Sequence, residues 1–229
     1  MLRKNLLVLG IILLLFVMQS CTSKPEKGLL TRYFHSDSMT DRATMATMAL
    51  KPISIGAKSW EITNVSEELI EPASLSELNQ VELELKKKVE ESVGITIGAK
   101  EELDDSEWEL DRARTRAAKR AAQKKVDELS EKYKEIRANH DQLQKNYNDA
   151  KAVASREEEI TAFSLGERTI PNIRELAGEV HSKVVEVRAE TESGPKNYKF
   201  YLRMYNLKDE TLNLNRRGRL VIIKIESVS

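Results

Sequence analysis

The sequence predicts an α+β fold class: a small antiparallel β module and a long coiled-coil-like helical arm. Three observations predict it. From Ser106 to Leu165 the chain contains no glycine or proline, and within that span apolar residues recur at alternating spacings of three and four. After Gly166 the pattern changes to short runs with period two, separated by Gly194-Pro195 and Arg217-Gly218. The composition is 32% charged and only 5% aromatic, which favours solvated helices joined to a modest sheet over one large core.

The arm is the clearest element. Ser106 and Glu109 form a capping-box pattern. The seam then runs through Val126, Leu129, Tyr133, Ile136, His140, Leu143, Tyr147 and Ala150. A helix from Ser106 to Ala154 would be roughly 70 Å long. Such a helix needs a covering surface, since helical stability comes mostly from packing an apolar face. The seam is therefore a candidate interface with a second copy or a partner protein. The helix expected from Leu75 to Val89 is too short to cover it. An acidic run, Glu101 to Asp111, precedes a basic run, Arg112 to Lys125. The basic run reads as a solvated face or as a contact for anionic headgroups or an acidic partner. Such alternation of sign also suits staggered antiparallel pairing.

Five segments follow from these patterns. Residues 1–20 form an export signal, 21–38 a polar tether, and 39–98 a short helix, strands and a helix. Residues 99–165 form the arm, and 166–229 the β module. Ser38 to Leu50 reads as a short helix with Met45 and Met48 packed on one face. Trp60 and Ile62 alternate with polar neighbours, so these N-terminal strands could complete a small sandwich around an inserted arm. Ser74 and Glu77 suggest a helix start. Gly94-Ile95-Thr96-Ile97-Gly98 favours a short strand or turn. In the β module, Tyr198, Phe200, Leu202 and Met204 form the face to be buried, and Lys199 and Arg203 the wet face. Thr211 to Leu214 could add a short strand.

The N-terminus carries two positive charges, Arg3 and Lys4, then an apolar run from Leu6 to Met18. That run is shorter than the ~20 residues of a membrane span. It matches a secretory signal with the small Ser20 before the cut. Val17-Met18-Gln19-Ser20-Cys21 resembles the lipobox of bacterial lipoprotein precursors, with Met18 and Gln19 departing from the commonest pattern. The resemblance covers about the first 21 residues. It implies a diacylglycerol on Cys21, the single cysteine, and thus a membrane partner. Thr22 stands where an aspartate would imply inner-membrane retention. The implied place is therefore the periplasmic side of the outer membrane.

Removal of residues 1–20 takes away two basic groups and no acid, leaving 35 basic against 37 acidic, about −2. A nucleic-acid binder would carry a basic excess, so none is expected. His35, His140 and His181 have no second ligand at metal-site spacing, and no metal or cofactor is expected. Phe163-Ser164-Leu165-Gly166 lacks the first glycine of a nucleophile elbow. Gly94 to Lys100 fails the phosphate-loop spacing. No catalytic residue is assigned. The expected function is a non-catalytic envelope scaffold or adaptor acting through the arm. The alternative is a β-module binder of a peptide, glycan or lipid, with the helix as spacer.

Overall fold

The computed structural model describes residues 24–167, 170–209 and 214–228. Cys21, the signal segment and Thr211 to Asn213 lie outside them. The chain divides into two compact units. One holds the sheet and its covering helices. The other, Ser74–Glu159 with Pro171–Leu176, is helical.

In the sheet unit the segment expected as a tether is instead folded. Helix α1 spans Pro25–Ser38. Pro25 and Gly28 suggest a turn by composition. A proline at the first helical position, however, has its φ already set for the helix and loses no hydrogen bond. Leu29, Leu30, Tyr33 and Phe34 then lie on one face and are buried. Helix α2, Arg42–Met48, is capped by Asp41, whose carboxylate accepts the Thr44 N–H at 3.0 Å. The side-chain and backbone hydrogen bonds from Thr44 hold the Asp41 carboxyl below its usual pKa. Met45 and Met48 are buried, as packing residues should be.

The described strands form one sheet, so the N-terminal strands extend the sheet and complete no sandwich. Strands β3, Ala177–Thr191, and β4, Gly194–Asp209, form a long central hairpin. β1, Ser59–Val65, and β2, Leu69–Pro72, pair in succession along the outer edge of β3. β5, Leu214–Arg217, and β6, Val221–Val228, pair likewise along β4. All these pairings are antiparallel.

Helices α1 and α2 cover one face, where Val185, Val187, Ala189, Tyr198, Phe200, Leu202 and Ile222 are buried with Tyr33, Phe34, Met45 and Met48. Phe34 stacks on Trp60 at 4.7 Å between centroids. Burial of Tyr198, Phe200 and Leu202 follows the period-two reading, but Met204 is only half-buried and Tyr205 is buried instead. The strand changes its buried face here, a few residues after a register shift at Tyr201/Leu202 against β6. Tyr205 and Leu207 face the opposite side, where Ser164 docks. Its hydroxyl donates to the Arg219 carbonyl at 2.8 Å and accepts the Tyr205 N–H at 3.2 Å. A Cβ on Gly218 would sit 2.4 Å from that hydroxyl oxygen, so glycine is needed at this close approach.

In the helical unit, α3 runs unbroken over Leu75–Arg112, 38 residues, and α4 over Arg116–Leu165, 50 residues. α4 passes into the sheet unit at Ile160. Gly94 to Gly98 is thus helix and neither strand nor turn. The arm begins at Leu75, well before residue 99. Ser106 and Glu109 lie inside α3, and Ser74 makes no side-chain cap bond. The break comes at Ala113, Arg114 and Thr115, without glycine or proline. Thr115 starts α4 by accepting the Ala118 N–H at 3.2 Å.

Candidate functional site

The helical unit is an antiparallel hairpin. In α3 the less exposed positions include a series of Leu75, Leu78, Glu82, Leu85, Val89, Ser92, Thr96, Ala99, Leu103, Ser106 and Leu110, with Ser76, Asn79 and Gly98 beside it. The spacing of the series alternates three and four throughout, a heptad seam with several small and polar members. On α4 the matching positions are Val126, Leu129, Tyr133, Ile136, His140, Leu143, Tyr147 and Ala150, all half-buried. Contacts across the pair fix its direction. Lys125 meets Glu109 at 2.9 Å, Lys132 meets Glu102 at 3.0 Å, and His140 meets Ser92 at 2.8 Å. Each step away from the tip on one helix matches a similar step on the other.

The seam therefore has an intrachain mate in α3. The length estimate failed because α3 does not stop at Val89. The half-burial of the seam is what two helices give, since each covers only one side of the other. The exposed ion pairs add little stability singly, yet they agree in register with the seam. They set the acidic run of α3 against Lys125, at the end of the basic run, and Lys132 beyond it.

His140 occupies a seam position. The Ser92 hydroxyl donates its one proton to the Val89 carbonyl at 2.7 Å. Its oxygen is thus left to accept from His140 Nδ1–H. Lys100 bonds Asp104 and lies 5.9 Å from the Tyr133 ring centre. Chiefly through the Asp104 hydrogen bond, its pKa is raised above the ordinary lysine value. At the base, Arg174 of the short 3-10 helix Ile173–Glu175 binds Glu82 at 2.6 Å and Glu158 at 2.8 Å. This one guanidinium ties the two legs together.

The tip differs from the shaft. On the shaft, seven lysines (86, 87, 100, 124, 125, 132 and 134) pair with carboxylates. Arg112, Arg114, Arg116, Lys119 and Arg120 are exposed at or just behind the turn. Asp111 and the already paired Glu109 are the acids beside them. Trp108 is 56% exposed, and the Arg112 guanidinium lies 3.5 Å from its ring centre, a cation–π stack. The sequence shows the basic run but not its place, because nothing in the residue types marks the turn.

His35 is exposed on α1, and His181 lies near Asn206 and Glu68 at 2.9 and 3.4 Å. Among the described residues, no cluster of three or more His, Cys, Asp or Glu is placed to hold a metal ion. None of their helices is long and apolar enough to cross a membrane. A cavity of about 280 Å³ lies beside α1 and α2, lined by Asp37, Thr40, Arg42, Met45, Pro52 and Ser54. Asp37 is committed there to the Ser54 hydroxyl and the Ile55 and Gly56 N–H groups at 2.7–3.0 Å. Compared with family models, curated proteins and solved structures, the chain has no match.

Proposed function

We propose that this protein is a lipid-anchored cell-envelope scaffold or adaptor, with its lipid on Cys21. Its hairpin presents the tip to an acidic surface of a partner protein, and no step of bond chemistry is involved. The observation that carries the reading is the contrast along the hairpin. The seam is closed by the chain itself, and many shaft cations are paired. The tip keeps five exposed cations and a solvent-facing tryptophan. Tryptophan and arginine are the residues that most often anchor protein interfaces. A helix of 38 residues is about 57 Å long, which suits a spacer.

The test places a photo-crosslinking amino acid at Thr115 or Ala117, and for comparison at Glu84 on the shaft, in intact cells. The expected result is one discrete adduct from the tip positions. It should disappear when Arg112, Arg114 and Arg116 are replaced by glutamate. Identical adducts from tip and shaft, or none from either, overturn the proposal.

A further inference from the structure

We propose that the exposed face of α1 lies on the anionic phospholipid headgroups of the bilayer that carries the lipid of Cys21. This inference rests on the lipid-anchor reading above and adds which face of the sheet unit meets the membrane.

Reach gives the first argument. Only Thr22 and Ser23 separate Cys21 from Lys24. Three Cα–Cα steps span at most ~11 Å when fully extended. A lipidated Cys21 therefore holds the start of α1 at the bilayer surface, since α1 is packed into the sheet unit with Leu29, Leu30 and Tyr33 buried.

Charge gives the second. Lys24, Lys27, Arg32 and His35 are exposed on or beside α1. The helix has two acids, Glu26 and Asp37, and both are turned inward. Glu26 is 3% exposed, with its carboxylate 3.9 Å from Lys183, and Asp37 holds the Ser54–Gly56 segment. The solvent face of α1 thus presents three cations and no anion. Such a face suits a leaflet with negative surface potential, and it supplies the polar second signal that commonly accompanies a lipid chain.

The third argument comes from the neighbouring edge strand. Lys183, beside Glu26, also lies 3.8 Å from Glu68, so the start of β2 sits close to the start of α1. Leu69 and Ile70 follow at 55% and 51% exposure.

The test uses the full lipidated protein reconstituted into vesicles that contain phosphatidylglycerol, or into pure phosphatidylcholine vesicles. A fluorophore is attached at Thr31→Cys on the proposed face, or at Lys196→Cys near the β3–β4 turn, and lipid-borne quenchers are added. With anionic vesicles the Thr31 probe should be quenched roughly threefold more than the Lys196 probe. That difference should shrink in pure phosphatidylcholine, or when Lys24, Lys27 and Arg32 are replaced by glutamate. Equal quenching at both sites in anionic vesicles overturns the inference, as does a difference indifferent to these charges. The anchor is read separately: Cys21→Ser should abolish labelled-palmitate incorporation and release the protein from membranes. If Cys21→Ser keeps the protein on membranes, the anchor reading fails and takes the reach argument with it. Release by that substitution together with equal quenching leaves the anchor standing and removes only the face.

Discussion

Tyr33 shows how a single side chain fastens the N-terminal helix. Its ring lies within 6.0 Å, centre to centre, of both Phe34 and Phe200. Its hydroxyl donates to the Ile53 carbonyl at 2.7 Å and accepts the Ile53 N–H at 3.0 Å. That pair of bonds satisfies a backbone segment with no ladder partner of its own. Burial, as the largest cause, raises the Tyr33 pKa to about 12 against the nearby backbone bond. The folded protein therefore binds this proton more tightly than the unfolded chain. Its contribution is fully present below the ordinary tyrosine value of about 10, and it is lost as pH rises from there through about 12. Tyr33→Phe should lower stability by about 1–3 kcal/mol at neutral pH, because both Ile53 groups lose their partner. It should also flatten the alkaline limb of a stability-against-pH curve. Denaturant titrations across pH 8 to about 12 measure both effects, and an unchanged alkaline limb would show that Tyr33 does not titrate in the transition.

At the scale of the element, the hairpin turns a sequence pattern into a paired structure. If α3 is the mate of the α4 seam, replacing Leu129, Ile136 and Leu143 with lysine should melt the hairpin from within. Circular dichroism of the lipid-free protein should then show a large loss of helicity, while sedimentation reports the monomer mass before and after. A drop from dimer to monomer with helicity kept would instead show that the seam joins two chains. The α4 seam was legible because its apolar residues recur without interruption. The α3 seam was obscured by Glu82, Ser92, Thr96 and Ser106, which are polar by type yet face inward. Gly94 and Gly98 misled in the same way. An added Cβ would meet nothing within 4 Å at either, Gly94 being exposed and Gly98 half-buried, and the seam carries the helix through them. Each costs the helix about 0.5–1 kcal/mol relative to alanine. α1 was missed for a related reason. Its four apolar residues are a weak signal beside Pro25, Gly28 and the surrounding polar residues, and their value appears only with the sheet in place. Strands β3 and β4 and their turn followed directly from period two. The exchange of buried faces near Met204 did not, because a bulge depends on the partner strand.

At the scale of the whole molecule, the hairpin is an insertion between two strands that are neighbours in the sheet. Pro72 pairs with Glu179, and the Ala73 N–H donates to the Gly178 carbonyl at 2.8 Å. Matched shortening tests whether the arm's length matters. Removing Lys86–Ala99 together with Lys134–Tyr147 deletes two heptads from each leg and keeps the seam in phase. The arm loses about 21 Å. The variant should stay folded by circular dichroism and stay on membranes, while the tip adduct disappears. An adduct of unchanged yield would show that reach is not what the arm supplies. The position of the insertion also bears on how fast the protein folds. Joining β2 to β3 directly means closing a very long loop, and chains dominated by such distant pairings fold slowly. The hairpin offers a route made of local steps. It can zip from the turn, where Glu109 and Lys125 are near in sequence, down to Arg174, which draws both legs together. The strands then meet as the ends of a closed hairpin, with most of the search already done. On this route the arm forms first, and a substitution far out along it should slow the pairing of β2 with β3.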